Sequence, residues 1–200
     1  MAPSPYIRTL LIGWVIACVM LLFKTESQWS AAIQLSGNST WDKPMQLLSW
    51  TGEWLWVSMG ILALFIFRFR LGLWALGVFA LESGLSQTLK RLIQAPRPAA
   101  LHAWTLRPIE GEVFQQQLAM PSGHTASSVL ALFLLACHPA LARTPLQLAL
   151  GLWALAIAYS RIYLGQHSLD DVLAGGLLGL LMCWIFEQRH RPGLQRWINA

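Results

Sequence analysis

The chain has 200 residues, of which 56% are hydrophobic and only 12% charged, roughly half the charged share of a soluble domain. That excludes an ordinary soluble globule and places the chain among membrane proteins, most simply as one domain spanning residues 1–200. The formal net charge of +5 does not point to nucleic acid, because the basic residues are scattered at the ends of apolar runs, where topology and anionic headgroups account for them.

Six apolar segments approach the roughly 17–25 residues a spanning helix needs. They are Ile7–Phe23, Gly52–Phe69, Leu71–Leu89, Gly123–Cys137, Leu146–Tyr163 and Leu169–Phe186. The first resembles a signal peptide in having Arg8 before an apolar stretch, but that stretch is long and no A-x-A site follows closely, so a retained helix is expected. The second and third are separated only by RFR at 68–70, which predicts a tight helical hairpin. The fourth is short unless it continues past Cys137. Cys18, Cys137 and Cys183 all lie in apolar runs, are odd in number and lack metal-ligand spacing, so they read as buried inert thiols.

Two longer connections remain, residues 24–51 with Trp29, Trp41 and Trp50, and residues 90–122 with Trp104 and Phe114. The tryptophans read mainly as interfacial belt residues. Contact of Trp104 and Phe114 with a lipid tail is the lesser reading. Disorder is expected at most in residues 1–5 and after about Arg191.

With six spans, both termini share a side. That side and the opposite one each collect seven Lys and Arg residues. Setting aside Lys90, Arg97 and Arg161, which belong to the motifs below, leaves seven against four and predicts cytoplasmic termini.

Three polar clusters then fall on the opposite side: KRLIQAPRP at 90–98, PSGH at 121–124 and SRIYLGQHSLDD at 160–171. Ionisable groups between apolar runs are expensive and usually functional. Lys90, Arg97 and Arg161 suit a dianionic group, since guanidinium forks match phosphate oxygens and an ammonium adds a point charge. Pro121 and Ser122 announce a helix start, and the free N–H groups near Gly123 and His124 form an anion site. Of His124 and His167, one imidazole can attack phosphorus while the other protonates the leaving oxygen. The attacking imidazole must be neutral and held in one tautomer by an acid. Asp171 lies four residues after His167, within reach, while Asp170 competes for that role or caps the helix. No metal-binding set is apparent, and three nearby cations would repel a metal ion. There is no P-loop.

These residues resemble the type 2 phosphatidic acid phosphatase superfamily, the lipid phosphate phosphatases related to vanadium haloperoxidases. The family pattern is K-x6-R-P, P-S-G-H and S-R-x5-H-x3-D. The chain carries Lys90 to Arg97-Pro98, then Pro121-Ser122-Gly123-His124, then Ser160-Arg161 to His167 to Asp171. The resemblance covers roughly residues 50–190 and implies an all-α, six-helix membrane fold with no cofactor. It implies that His167 is the nucleophile forming a phosphohistidine, Asp171 its orienting partner, and His124 the general acid and then the base for water. Lys90, Arg97, Arg161, Ser122 and the Gly123 N–H become the phosphate cradle. The implied substrate is a lipid phosphate monoester or diphosphate (undecaprenyl diphosphate, phosphatidylglycerol phosphate or phosphatidic acid) entering from the bilayer. The implied location is a bacterial inner membrane, with the site facing the periplasm. Ser168-Leu169 stands where relatives often have a nearby proline, and Asp170 adds a second acid.

Other polar residues have plainer readings. His102, His138 and His190 are interfacial or solvated, and Arg91 snorkels. Glu82 shares a helix face with Ser86 and Lys90, and either pairs toward the site or sits in a polar helix contact. Ala174-Gly175-Gly176 and Gly179 allow close helix packing. The alternatives to hydrolysis are a lipid phosphotransferase, with identical residues, and a transporter or channel, for which the repeated halves are missing.

Overall fold

The computed structural model describes residues 4–101, 106–137, 143–190 and 192–199. The ordered elements are helices: α1 (Pro5–Met20), α2 (Glu26–Leu35), α3 (Ser39–Trp50), α4 (Trp54–Phe67), α5 (Phe69–Ile93), the single turn α6 (Pro98–Leu101), α7 (Gly123–Ala136), α8 (Thr144–Tyr163), α9 (Leu169–Glu187) and α10 (Pro192–Asn199). Among the described residues, three helical stretches are long and apolar enough to cross a membrane: Ser39–Ile66, Thr144–Tyr163 and Leu169–His190. Pro5–Met20 and Gly123–Ala136 are shorter apolar helices.

Helix α5 shows why composition and topology part company. Its 25 residues extend about 37 Å at 1.5 Å per residue, enough for a bilayer core. Yet Glu82, Ser86 and Lys90 repeat at helical spacing and are all buried, so the helix carries a polar stripe on its inner face. That stripe lowers its hydropathy without placing charge on its outer surface.

Helix α7 sits at the centre, against α4, α5, α8 and α9. Its Val129, Leu130 and Phe133 are buried with Tyr6 and Leu10 of α1 and Met182 and Phe186 of α9. The Tyr6 hydroxyl is satisfied by donating to the Val129 carbonyl at 2.6 Å, so α1 is built into the core through polar as well as apolar contacts. Glycines let α9 approach closely. A Cβ at Gly176 would overlap the Trp14 ring, and one at Gly175 would collide with the Ser122 carbonyl. Trp14 completes the contact by donating its indole N–H to the Leu173 carbonyl at 2.9 Å.

The hairpin expected at residues 68–70 forms by a break at Arg68, which separates α4 from α5. A Cβ on Gly72 would lie 2.8 Å from the Phe65 backbone nitrogen, so only glycine permits that approach.

Three expectations change. Residues 24–51, read as a connection, form α2 and α3. Thr25 and Gln28 close a capping box on α2, and Asn38 caps α3, so local polar signals start both helices; α2 is too short to span, while α3 opens the Ser39–Ile66 stretch. The tail, where the sequence left room for disorder, forms α10, docked on the hairpin by Arg70 donating to the Trp197 carbonyl at 2.8 Å and Arg68 donating to Asn199 at 3.2 Å. Of the cysteines, Cys183 is buried and Cys137 half-buried, while Cys18 lies exposed on the outer face of α1. Trp104, His102 and His138 lie outside the described residues.

Candidate active site

The three motifs converge because each occupies the end of an element packed around α7. Lys90 is in the last turn of α5, which ends at Gln94 in the left-handed conformation. Its ammonium donates to the Leu118 carbonyl at 2.7 Å and the Ala119 carbonyl at 3.4 Å. Arg97 ties the loops together. Its backbone N–H donates to the Gln116 carbonyl at 2.8 Å, its Nε to the Gln117 carbonyl at 3.1 Å, and its Nη1 to the Gln166 carbonyl and side chain, both at 3.2 Å. Burial lowers the pKa of this guanidinium from its ordinary value, with Asp171 opposing the shift; from so high a starting point Arg97 stays a cation at neutral pH.

Ser122 is the N-cap residue of α7 and is fully buried. Its backbone N–H donates to the Asp171 carbonyl at 2.9 Å, and its hydroxyl accepts from Thr125 at 3.0 Å. The link from Ser122 to Asp171 sets the start of α7 directly against the start of α9. The first N–H groups of a helix have no intrahelical acceptor, so the Gly123 end of α7 favours an anion.

Arg161 is in the last turn of α8 and buried. Its Nη1 donates to Ser49 Oγ of α3 at 2.5 Å, while its Nε is buried without a hydrogen-bond partner. Its carbonyl accepts the N–H groups of Gln166 at 3.0 Å and His167 at 3.2 Å, which fixes the loop carrying the histidine.

His167 is buried, with Nδ1 3.4 Å from Asp171 Oδ2. The same carboxylate oxygen accepts the Ser168 N–H at 3.0 Å, half of a capping box that starts α9. Asp170 instead accepts the Ser168 hydroxyl. Of the two acids, therefore, Asp171 is the one against the ring. Burial first, and then the Arg161, Arg97 and Lys90 charges, push the His167 imidazole well below its ordinary pKa, against an opposing hydrogen bond to the Ala119 backbone. At neutral pH this ring is uncharged.

His124 is the second residue of α7, with its side chain about one-third exposed, and its Nε2 is 4.0 Å from Glu53 Oε1. A cavity of about 340 Å³ is lined by Lys90, Arg97, Gly123, His124, Arg161 and His167, and continues to Glu82, Ser86 and Ser127. A second cavity of about 520 Å³ adjoins it through Glu53, Gln115, His124 and Arg161, and opens between α3 and the 106–122 loop. Among the described residues, no group of three or more His, Cys, Asp or Glu side chains is placed to hold a metal ion.

Several contributors carry no motif. Ser49 and Glu53 flank the α3–α4 junction, a stretch otherwise legible only for its tryptophans. Gln166 bridges Arg97 to Glu112, donating to that carboxylate at 2.9 Å; its place beside His167 was the available signal. Arg107 forms a two-pronged pair with Asp42, at 2.9 and 2.7 Å, and the Tyr163 hydroxyl donates to the same carboxylate at 2.9 Å. The hydrogen-bonded Asp42 raises the Arg107 pKa further. Phe114 packs toward Gly165, where a Cβ would lie 3.1 Å from its ring. His190 is exposed, 3.8 Å from Glu187.

Comparison with known proteins places this geometry. Phosphatidylglycerophosphatase B of Bacillus subtilis is 32% identical over 123 residues, covering 58% of this chain and 56% of that protein. Mouse sphingosine-1-phosphate phosphatase 1 is 36% identical over 118 residues, covering 54% of this chain and 25% of that one. The match thus spans about half of the first relative and a quarter of the second. Among solved structures, LpxE of Aquifex aeolicus aligns with a TM-score of 0.69 and 25% identity, over 80% of this chain and 93% of that one. The first transmembrane PAP2-type phosphatidylglycerolphosphate phosphatase from Bacillus subtilis shares the fold, with a TM-score of 0.69 and 22% identity over 96% of each chain. With residues 71–192 matching the family as a whole, and all three motifs inside that span, the chain belongs to the PAP2 superfamily.

Proposed function

We propose that this chain is a metal-independent lipid phosphatase that hydrolyses a phosphate monoester or diphosphate through a phosphohistidine on His167. The observation that carries this reading is a buried imidazole held 3.4 Å from Asp171 in a cavity that also presents Lys90, Arg97, Arg161 and the start of α7. The unpartnered Arg161 Nε supports a phosphate occupant, because a buried donor without an acceptor is costly unless a ligand supplies one.

In this reading Lys90, Arg97, Arg161, Ser122 and the Gly123 N–H hold the phosphate oxygens. His167 Nε2 attacks phosphorus while Nδ1–H stays on Asp171. The P–O bond to the lipid breaks, and His124 gives its proton to the leaving oxygen. Water then attacks phosphorus, His124 takes its proton, and the P–N bond breaks to release phosphate. The cations offset the charge that builds on the equatorial oxygens.

The substrate class is a lipid phosphate such as phosphatidylglycerol phosphate, phosphatidic acid or undecaprenyl diphosphate. The first is favoured by the name of the Bacillus relative. The chain acts as a single membrane domain of six spans, with α5 as the span whose polar stripe hides it from hydropathy. Its termini are cytoplasmic and its site faces the periplasm of a bacterial inner membrane, as the distribution of basic residues supports.

The test is phosphate release by the detergent-purified chain in EDTA, with those three lipids, a soluble phosphate ester and His167→Ala as control. Release that depends on His167 supports the reading. Undiminished release by His167→Ala, or release that vanishes in EDTA and returns with Mg²⁺, overturns it.

A further inference from the structure

The inner face of α5 carries more polar chemistry than phosphate binding uses. Glu82, Ser86 and Lys90 lie at i, i+4 and i+8 and are 1%, 3% and 7% exposed. Only Lys90 has a place in the mechanism above. Glu82 and Ser86 line the same cavity as His167 and Arg97. Ser86 also borders the start of α7, since a Cβ on Gly123 would lie 3.8 Å from its hydroxyl.

The hydrogen bonding of Glu82 is half complete. Its Oε2 accepts from Ser127 at 3.2 Å and from Ser83 at 3.4 Å, whereas Oε1 is buried without a partner. Ser86 Oγ is likewise buried without a partner. An unmet buried acceptor is costly, so Oε1 is open to a donor from the cavity it lines. Two such atoms in one cavity call for a ligand group. That group is not the phosphate, which in this reading is held by Lys90, Arg97 and Arg161. For Glu82 Oε1 it is a hydrogen-bond donor, and the Ser86 hydroxyl can accept from the same group. Ser86 stands about 6 Å along the helix from Lys90 and borders Gly123, and Glu82 stands about 12 Å away, so a donor that reaches them lies beyond the phosphate, on the phosphorylated alcohol.

We propose that Glu82 and Ser86 form a subsite that accepts a hydrogen bond from a hydroxyl or ammonium group carried by the phosphorylated lipid close to its ester oxygen. This rests on the phosphatase reading and narrows it. Lipid phosphates with a neighbouring hydroxyl or amine are favoured, and prenyl phosphates, which have no such donor, are disfavoured.

The experiment compares 1-oleoyl-glycerol 3-phosphate with the otherwise identical propanediol ester lacking the free hydroxyl, using the full chain in detergent. The wild type should prefer the hydroxyl-bearing ester by about tenfold or more in kcat/KM. Glu82→Met should bring that ratio close to one, and Ser86→Ala should reduce it at least about threefold. Equal kcat/KM for the two esters in the wild type, or a ratio unchanged in both variants, overturns the subsite. Should Glu82→Met not fold, an unchanged ratio in Ser86→Ala alone overturns it. Should neither ester be hydrolysed, the phosphatase reading is decided by the lipid panel above and the dissociation constants of the two esters decide the subsite. An affinity difference of the same size that Ser86→Ala weakens sustains it, and equal affinities overturn it.

Discussion

The Asp171 carboxylate lies 3.4 Å from His167 Nδ1 through the same oxygen that accepts the Ser168 N–H at 3.0 Å. One oxygen thereby starts α9 and orients the imidazole at the end of the preceding loop. Asp171→Asn should lower kcat on the order of 10²–10⁴-fold, because the ring loses the partner that fixes its tautomer. Asp170→Asn, which removes a charge paired with Ser168 only, should cost much less. Steady-state phosphate release by the two variants checks the ranking, and the reverse order would move the orienting role to Asp170.

The depressed pKa of His167 sets a pH dependence. The ring is protonated in the folded protein only well below its ordinary value of about 6.5. The neutral nucleophile therefore persists as pH falls through that value and is lost only further down. The acid limb of kcat/KM, after division by the substrate's own second phosphate ionisation near pH 6, should lie clearly below pH 6.5. An acid limb centred at 6.5 would mean that the nucleophile is an ordinary exposed histidine. The same linkage makes the folded state lose stability on acidification below about 6.5, as the unfolded chain takes up the proton first.

Ser49 meets Arg161 at 2.5 Å across 112 positions of sequence. Hydrogen bonds to charged groups contribute about 1.5–3 kcal/mol. Ser49→Ala should therefore raise KM by roughly tenfold, with a smaller change in kcat, if Arg161 grips the phosphate in ground and transition states alike. A change confined to kcat would show that Arg161 is engaged only in the transition state.

The Arg107–Asp42 pair joins the 106–122 loop to α3, with both side chains mostly buried. Asp42→Asn removes the two-pronged ion pair and weakens the acceptor of Tyr163. Loss of about 1 kcal/mol would lower Tm by roughly 2–4 °C in a chain of this size. Thermal unfolding in detergent at low and high salt checks this, since the difference should shrink as salt screens the pair.

The sequence by itself determined the helical class, the membrane character and the residues that meet in the cavity. These are carried by local pattern. Apolar runs have the length of a bilayer helix, Lys90 lies in the last turn of α5 with Arg97 just beyond its end, Ser122 opens α7, and His167 and Asp171 meet at the start of α9 through their four-residue spacing. Helices α2, α3 and α10 were not legible, because they are short or polar and their stability comes from caps and docking rather than from a periodic apolar face. The reading of Glu82 was open for a different reason: spacing put it on the face of Lys90, but only packing leaves one of its oxygens without a partner inside the cavity. Tertiary structure alone decided that Ser49 grips Arg161, that Glu53 stands 4.0 Å from His124, and that Arg107 binds Asp42. Each joins residues at least 65 positions apart. Such contacts arise when packing around α7 brings element ends together, and no periodicity along the chain encodes them.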